Sequence, residues 1–302
     1  EDGIRDYKVT GVQTCALPIL LNLPSLWYEI QLCTPSFNVY GVSFPGAPGV
    51  EIGFNENCAF GFTNGGRDVR DYYEITFKDD SRNEYLYNGE WMKTTKRIEK
   101  IGIAGSNDFI DTVVYTHIGP VMYDASFAGK GNPDKKNYAV KWTAHDSSNE
   151  FKMFYLLDRA KNYNDYLNAV QYLKTPGQNC VFACKDGDIA MRTQGNFPAK
   201  WKGQGDFVMP GTDSSYQWQF MIPEDETPFE HNPSRDFVSS ANQMPADSSY
   251  PYYLGRNYPM IRGMYINRQL SYMKKITLQD MIALQNSNYN LFAEMAMPRS
   301  EE

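Results

Sequence analysis

From Leu20 to Ile103 apolar and polar residues alternate in short runs, broken every few positions by Gly, Pro, Asn or Asp, which is the pattern of a strand meander. Residues 37–44, 50–54, 58–63 and 72–77 each read as a strand, with Pro45-Gly46-Ala47-Pro48-Gly49 as the loop between the first two. Residues 85–91 form a compact hairpin about Asn88-Gly89, a dipeptide that accepts the positive φ of a tight turn. Strands continue at 95–103, 109–117, 121–123 and 138–143, with Gly119-Pro120 as a break. The period changes at 151–173, where Tyr166, Leu167, Val170 and Leu173 fall at helical spacing, Asn162 and Asp165 offer caps and Pro176-Gly177 ends the segment. Residues 180–183 and 189–193 flank Lys185-Asp186-Gly187-Asp188, a hairpin signal; 201–229 is loop-rich and 236–240 reads as a strand. Helices return at 258–274 and 278–286, the second capped by Thr277. Strands first, with helices flanking and ending, give an α+β class rather than alternating βαβ units.

Composition narrows the partners. A chain of 302 residues, 42% hydrophobic, can bury the core of one large or two ordinary domains. A net charge of −7 and a pI near 5.1 argue against a nucleic-acid partner, which needs a basic surface. No apolar run is long enough to span a bilayer. The 22 tyrosines suit a strand-rich protein, and a strand-rich glycan-binding module is one function such a chain can serve. Five cysteines, at 15, 33, 58, 180 and 184, lack the paired spacing of a zinc site. Cys180 and Cys184 share a strand face but are too far apart along it to bond each other, so the redox compartment stays open. Residues 1–19 have no clear period. Their end, Gly-Val-Gln-Thr-Cys-Ala-Leu-Pro-Ile, resembles a translated sequencing-adapter segment, and they are expected to contribute nothing to the fold.

The most informative stretch is 60–75, Phe-Gly-Phe-Thr-Asn-Gly-Gly-Arg-Asp-Val-Arg-Asp-Tyr-Tyr-Glu-Ile. A turn at Asn64-Gly65-Gly66 would leave backbone N–H groups outside any ladder, and such groups can bind an oxyanion. Asp68 and Asp71, with a backbone carbonyl between them, are hard oxygen ligands of the kind calcium takes. The plainer reading is a hairpin with solvated aspartates. Elsewhere the familiar motifs are missing: there is no GxxxxGK loop, HExxH, GxSxG or GxGxxG. His117, His145 and His231 have no evident Ser or Cys partner, so a histidine base is not expected. Many carboxylates could pair as acid and base, though the sequence singles out none, and a further arrangement is a nucleophile whose own α-amine is the base.

Several elements in order carry a more specific resemblance: Leu23-Pro24-Ser25-Leu26-Trp27-Tyr28-Glu29, Gly41-Val42-Ser43-Phe44-Pro45-Gly46-Ala47-Pro48, Gly53-Phe54-Asn55, Phe60-Gly61-Phe62-Thr63-Asn64, Asp68-Val69-Arg70-Asp71, Pro210-Gly211-Thr212, Ser240-Ala241-Asn242-Gln243 and Arg262. Together they resemble the β chain of the penicillin acylase family of N-terminal nucleophile hydrolases, over nearly all of 20–297. The resemblance implies an αββα sandwich of two mostly antiparallel sheets, incomplete at its N-terminus. It implies a domain over 20–302 that is cut short at both ends and pairs with the α chain of the same precursor. The implied activity is hydrolysis of the amide bond of a small N-acyl substrate, of the penicillin, cephalosporin or acyl-homoserine-lactone kind, in a periplasmic or extracellular setting. Implied roles are an oxyanion hole from the Asn64 N–H and the Asn242 amide, supported by Arg262, and a structural calcium ion held by Asp68, Asp71 and the Arg70 carbonyl, with a further ligand from the α chain. The family's nucleophile is a serine that opens the β chain. No Ser precedes Ser25 here, and Ser25 lies outside the nucleophile motif, so this stretch is expected to lack the nucleophile. A family member without activity is the neighbouring reading. Ile52 and Phe54 are candidate pocket residues that suit an apolar core equally well.

Overall fold

The structure, a computed structural model, describes residues 25–126, 135–255 and 258–297; the adapter-like segment 1–19 and the Leu23-Pro24 step lie outside them. Fifteen strands are present among the described residues: β1 (Tyr28–Thr34), β2 (Phe37–Ser43), β3 (Ile52–Asn55), β4 (Cys58–Asn64), β5 (Arg70–Glu74), β6 (Glu84–Tyr87), β7 (Glu90–Lys93), β8 (Thr95–Ile101), β9 (Phe109–Tyr115), β10 (Val121–Tyr123), β11 (Tyr138–Trp142), β12 (Gln178–Cys184), β13 (Ile189–Gln194), β14 (Met209–Pro210) and β15 (Phe229–His231). Five α-helices accompany them: α1 (Phe151–Leu157), α2 (Tyr163–Val170), α3 (Ile261–Tyr272), α4 (Leu278–Gln285) and α5 (Leu291–Ala296). The class is α+β, as the order of elements predicts.

The larger sheet runs β1-β2-β3-β4-β12-β13-β15 and is antiparallel throughout; the smaller runs β10-β11-β5-β14, with β14 parallel to β5. β6–β7 and β8–β9 are separate hairpins, and Asn88 and Gly89 take the positive φ expected of their turn. Alternation along β4 and β12 sends Cys58, Phe60, Cys180 and Phe182 into a core closed by Met153, Leu157, Tyr166, Ala169 and Val170 of α1 and α2. Each large apolar side chain so buried contributes roughly 1.5–3 kcal/mol. The Tyr166 hydroxyl enters that core with a partner, donating to the Cys180 carbonyl at 2.8 Å. A second cluster, with Tyr73, Ile75, Tyr85, Ala139 and Met209, belongs to the smaller sheet and its hairpin.

Three expectations change, and one neighbour is added. The segment 151–173 is two helices, because the chain tightens at Ala160, whose N–H bonds the Leu157 carbonyl, and Asn162 caps a new start by accepting from the Asp165 N–H. Residues 236–240 form no strand; their polar groups are taken by side chains described below. The turn at Asn64 is not a hairpin, since β4 and β5 lie in different sheets. Finally, Cys184 faces Cys58 across β12 and β4, a neighbour that the spacing along one strand could not reveal, and both are free thiols. No helix among the described residues is long and apolar enough to cross a membrane.

Candidate active site

β4 ends at Asn64, opposite Gln178 of β12, and the next N–H, that of Gly65, donates to the Gly177 carbonyl at 2.9 Å. A bond between the flanking residues makes Asn64–Gln178 a non-hydrogen-bonded pair, so the N–H and C=O of Asn64 both point away from β12. On that side β3 pairs only with Ala59 and Phe60. Asn64 therefore presents its backbone at an open edge because β3 stops short, not because of a turn.

Asn242 occupies part of this edge although 178 residues separate the two positions. Its Nδ2 donates to the Asn64 carbonyl at 3.1 Å, and its Oδ1 accepts from Arg262 Nη2 at 2.8 Å. A guanidinium only donates, so the atom facing it has to be the amide oxygen, and Arg262 thereby sets which way the amide points. One Nδ2 hydrogen is used by Asn64; the other has no hydrogen-bond partner among the described residues. Asn242 has a φ of 63°, a left-handed conformation that asparagine tolerates better than most residues.

The loop bearing Asn242 is tied down on two sides. Toward the sheet, the Ser240 hydroxyl meets Thr63 Oγ1 at 2.5 Å. The buried Asn179 reaches Thr63 Oγ1, Ser240 Oγ and the Asn64 carbonyl with Nδ2, at 3.2, 3.2 and 3.3 Å, while its Oδ1 accepts from Thr193 Oγ1 at 2.7 Å. Toward α3, Gln243 accepts from the Ala241 N–H and donates to the Ser239 carbonyl, and the Ser239 hydroxyl donates to Asn267. Gly263 permits the approach: a Cβ there would lie 3.1 Å from the Gln243 side chain. Asn179 and Thr193 carry no signal in the sequence; only the pairing of β12 with β4 and β13 shows what they do.

Beyond the turn, Asp68 and Asp71 come together. Asp71 is fully buried and accepts from Trp218 Nε1, while Asp68 is half-buried, and burial raises its carboxyl above the ordinary range against the pull of Lys200. Lys200 Nζ lies 3.0 Å from Asp68 Oδ2 and 2.8 Å from Asp71 Oδ2, with its side chain 2% exposed. At these distances the ammonium is ion-paired with both carboxylates. Arg70 opens β5 opposite Trp142, its guanidinium over the Trp142 and Tyr72 rings. The place where the family resemblance puts calcium is thus taken by an ammonium group. A divalent ion on the same oxygens would stand against that charge, and no group of three His, Cys, Asp or Glu side chains gathers among the described residues. As they stand, these side chains do not fit a calcium ion.

The three histidines have structural partners: His117 lies beside Tyr85 and Tyr87 with its Nδ1 2.8 Å from the Tyr85 hydroxyl, His145 packs against Trp142, and His231 stacks on Tyr163 with its Nε2 3.0 Å from Asp188 Oδ1. Phe54 is exposed and edge-on to Tyr40, and Ile52 is half-buried. An apolar cleft of about 990 Å³ borders Arg262, lined by Met260, Ile266, Met281, Leu284 and Phe292.

The family model for penicillin amidase matches residues 19–302. The chain belongs to the penicillin amidase family. It is 28% identical over 281 residues to an acyl-homoserine lactone acylase, QuiP, of Pseudomonas aeruginosa, covering 90% of this chain and 33% of that protein. It is 25% identical over 238 residues to penicillin G acylase of Escherichia coli, covering 76% of this chain and 26% of that protein. Its fold is similar to that of a thermostable penicillin G acylase from Alcaligenes faecalis, with a TM-score of 0.69 at 22% identity, over 86% of this chain and 46% of that one. The chain spans about a third of the length of the curated relatives it matches. For this member of the penicillin amidase family, the fold is therefore that of an N-terminal nucleophile hydrolase.

Proposed function

We propose that this chain supplies the oxyanion-binding half of an amidase acting on a small N-acyl substrate, with the Asn64 N–H and the Asn242 side-chain amide as the two donors. The observation that carries the reading is the Asn64–Asn242–Arg262 chain of hydrogen bonds at the open end of β4. As a hydroxyl nucleophile adds to the acyl carbon, negative charge gathers on the former carbonyl oxygen. Two neutral donors already aimed at that point favour the tetrahedral state over the planar amide. Arg262 acts through Asn242: it holds the amide with its N–H groups outward and adds positive potential behind them. Collapse of the intermediate breaks the C–N bond and frees the amine, and water then hydrolyses the acyl ester.

The nucleophile in this reading is an N-terminal serine of the whole protein, whose α-amine takes the hydroxyl proton. The remainder of the precursor, as an α chain, would cover the apolar helices α3–α5, where Met260, Leu278 and Phe292 are more than half exposed. Relatives named as acyl-homoserine lactone and penicillin G acylases support an acyl chain on the carbonyl side, and by the same resemblance the protein works in the periplasm or outside the cell. The experiment is to assay the full-length, processed protein on chromogenic amides and on N-acyl homoserine lactones with short and long acyl groups. Turnover that falls on replacing Asn242 supports the reading. No turnover on any acyl length would make this a family member that keeps the fold without the chemistry.

A further inference from the structure

We propose that the Lys200 ammonium takes the place of a bound divalent ion in this chain, tying Asp68 to Asp71, and that this corner accepts no calcium. The inference is independent of the chemistry at Asn64 and concerns how the loop after β4 is held.

Lys200 Nζ sits between the two carboxylates, at 3.0 Å from Asp68 Oδ2 and 2.8 Å from Asp71 Oδ2, and both Lys200 and Asp71 are almost wholly withdrawn from solvent. A buried ammonium without a counter-charge is strongly unfavourable, so the pairing is what allows the lysine to be there at all. The lysine is delivered by a fixed backbone. The Ala199 N–H donates to the Phe220 carbonyl at 2.8 Å and the Ala199 carbonyl accepts from the Gln219 N–H, which places Lys200 beside Trp218. Trp218 donates to the same Asp71 oxygen that faces the ammonium, and Lys200 Nζ lies 5.6 Å from the centre of the indole ring. The other Asp71 oxygen, Oδ1, is buried with no hydrogen-bond partner among the described residues, and Gly205 borders it with a φ of 90°: a Cβ there would stand 2.2 Å from Asp71 Oδ1 and 3.0 Å from Asp68 Oδ2. Indole, ammonium and backbone thus enclose Asp71.

Calcium takes six to eight oxygens at about 2.3–2.6 Å. Gathering them here would set a double positive charge within about 3 Å of the ammonium, where like charges repel strongly even at the effective dielectric of a protein surface. A calcium ion could enter only if Lys200 left a place where it is paired twice. A lysine is a compact point charge on a flexible stem, which is the property a stand-in for an ion needs.

The test uses the full-length protein that carries this chain. Terbium, which mimics calcium, is titrated while Trp218 is excited; an ion at Asp71 would be sensitised through the indole. The expected result is no sensitised emission, with a Trp218→Phe variant giving the same baseline. Emission that calcium displaces and that Trp218→Phe abolishes would overturn the proposal. In parallel, Lys200→Met removes the charge at similar length. Its unfolding temperature should fall by roughly 5–8 °C, or the variant should fail to fold, as expected when one partner of a buried pair is lost. A Lys200→Met protein as stable as the parent would equally overturn the proposal, since the ammonium would then be tying nothing.

Discussion

Replacing Asn179 by alanine should loosen the segment that bears Asn242, and the size of the effect can be worked from the contacts. Thr193 Oγ1, fully buried, donates to Asn179 Oδ1 at 2.7 Å and would be left with no acceptor. Thr63 Oγ1 and Ser240 Oγ would each lose the Nδ2 donor but would still have each other. One buried group fully unpaired and one pair partly so cost about 2–4 kcal/mol together, at about 1–3 kcal/mol for each buried polar group left without its bond. In a chain of 302 residues that corresponds to a fall in unfolding temperature of roughly 3–6 °C. Urea unfolding followed by tryptophan fluorescence gives the free energy, and scanning calorimetry gives the temperature. Asn179→Asp separates the two halves of the network, because a carboxylate still accepts from Thr193 but cannot donate to Thr63 or to the Asn64 carbonyl. The reasoning is refuted if Asn179→Ala unfolds within about 0.5 kcal/mol of the parent, the range of an ordinary surface substitution.

Other outcomes follow from single contacts. Burial pushes the Glu51 carboxyl up from 4.5 to about 7, against a bond from the Phe44 backbone, and the residue is 3% exposed. An acid that holds its proton longer in the fold stabilises it fully below the unfolded value and loses that contribution as pH rises toward about 7. Glu51→Gln should therefore match the parent near pH 4 and exceed it by roughly 2–3 kcal/mol at about pH 8 in urea unfolding, and a difference that does not vary with pH would count against the assignment. Gly263→Ala sets a methyl 3.1 Å from Gln243 and should lower acylase turnover by displacing the 239–243 loop, with a loss of stability of about 1–2 kcal/mol; unchanged turnover would show that the loop can give way freely. Tyr166→Phe leaves the buried Cys180 carbonyl without its 2.8 Å donor and should cost about 1–2 kcal/mol in the same unfolding assay, with no change in turnover.

Strand after strand could be placed from alternation and turn chemistry, because side-chain period and the Asn-Gly and Asp-Gly dipeptides are local properties. The hairpins at Asn88-Gly89 and Gly187 are of this kind. Apart from the division of 151–173 at Asn162, what failed was non-local. The residues after Thr63 look like a hairpin until β5 is seen to join a different sheet, and 236–240 looks like a strand until Thr63, Asn179 and Asn267 are seen to claim its hydroxyls. Asn242 and Arg262 were nominated only through the family pattern, Asn64 also through a turn that the fold does not form, and the structure brings all three into one chain of hydrogen bonds. Asn179 and Thr193 could not be found in the same way, since an asparagine and a threonine on strands declare nothing until the neighbouring strand is known. Lys200 was invisible for the same reason: it lies 129 positions from Asp71, and only folding puts the ammonium where a metal was expected.

The central claim is that Asn242 donates to a developing oxyanion beside the Asn64 N–H. Its most direct test is the turnover number of Asn242→Ala, measured on a chromogenic N-acyl amide with the full-length, processed protein and with folding checked by its unfolding temperature. Loss of one such donor predicts a fall in kcat of about 10²–10³ with KM little changed, since the bond matters in the tetrahedral state and hardly in the planar one. A variant that folds like the parent and keeps its kcat within about threefold would contradict the account.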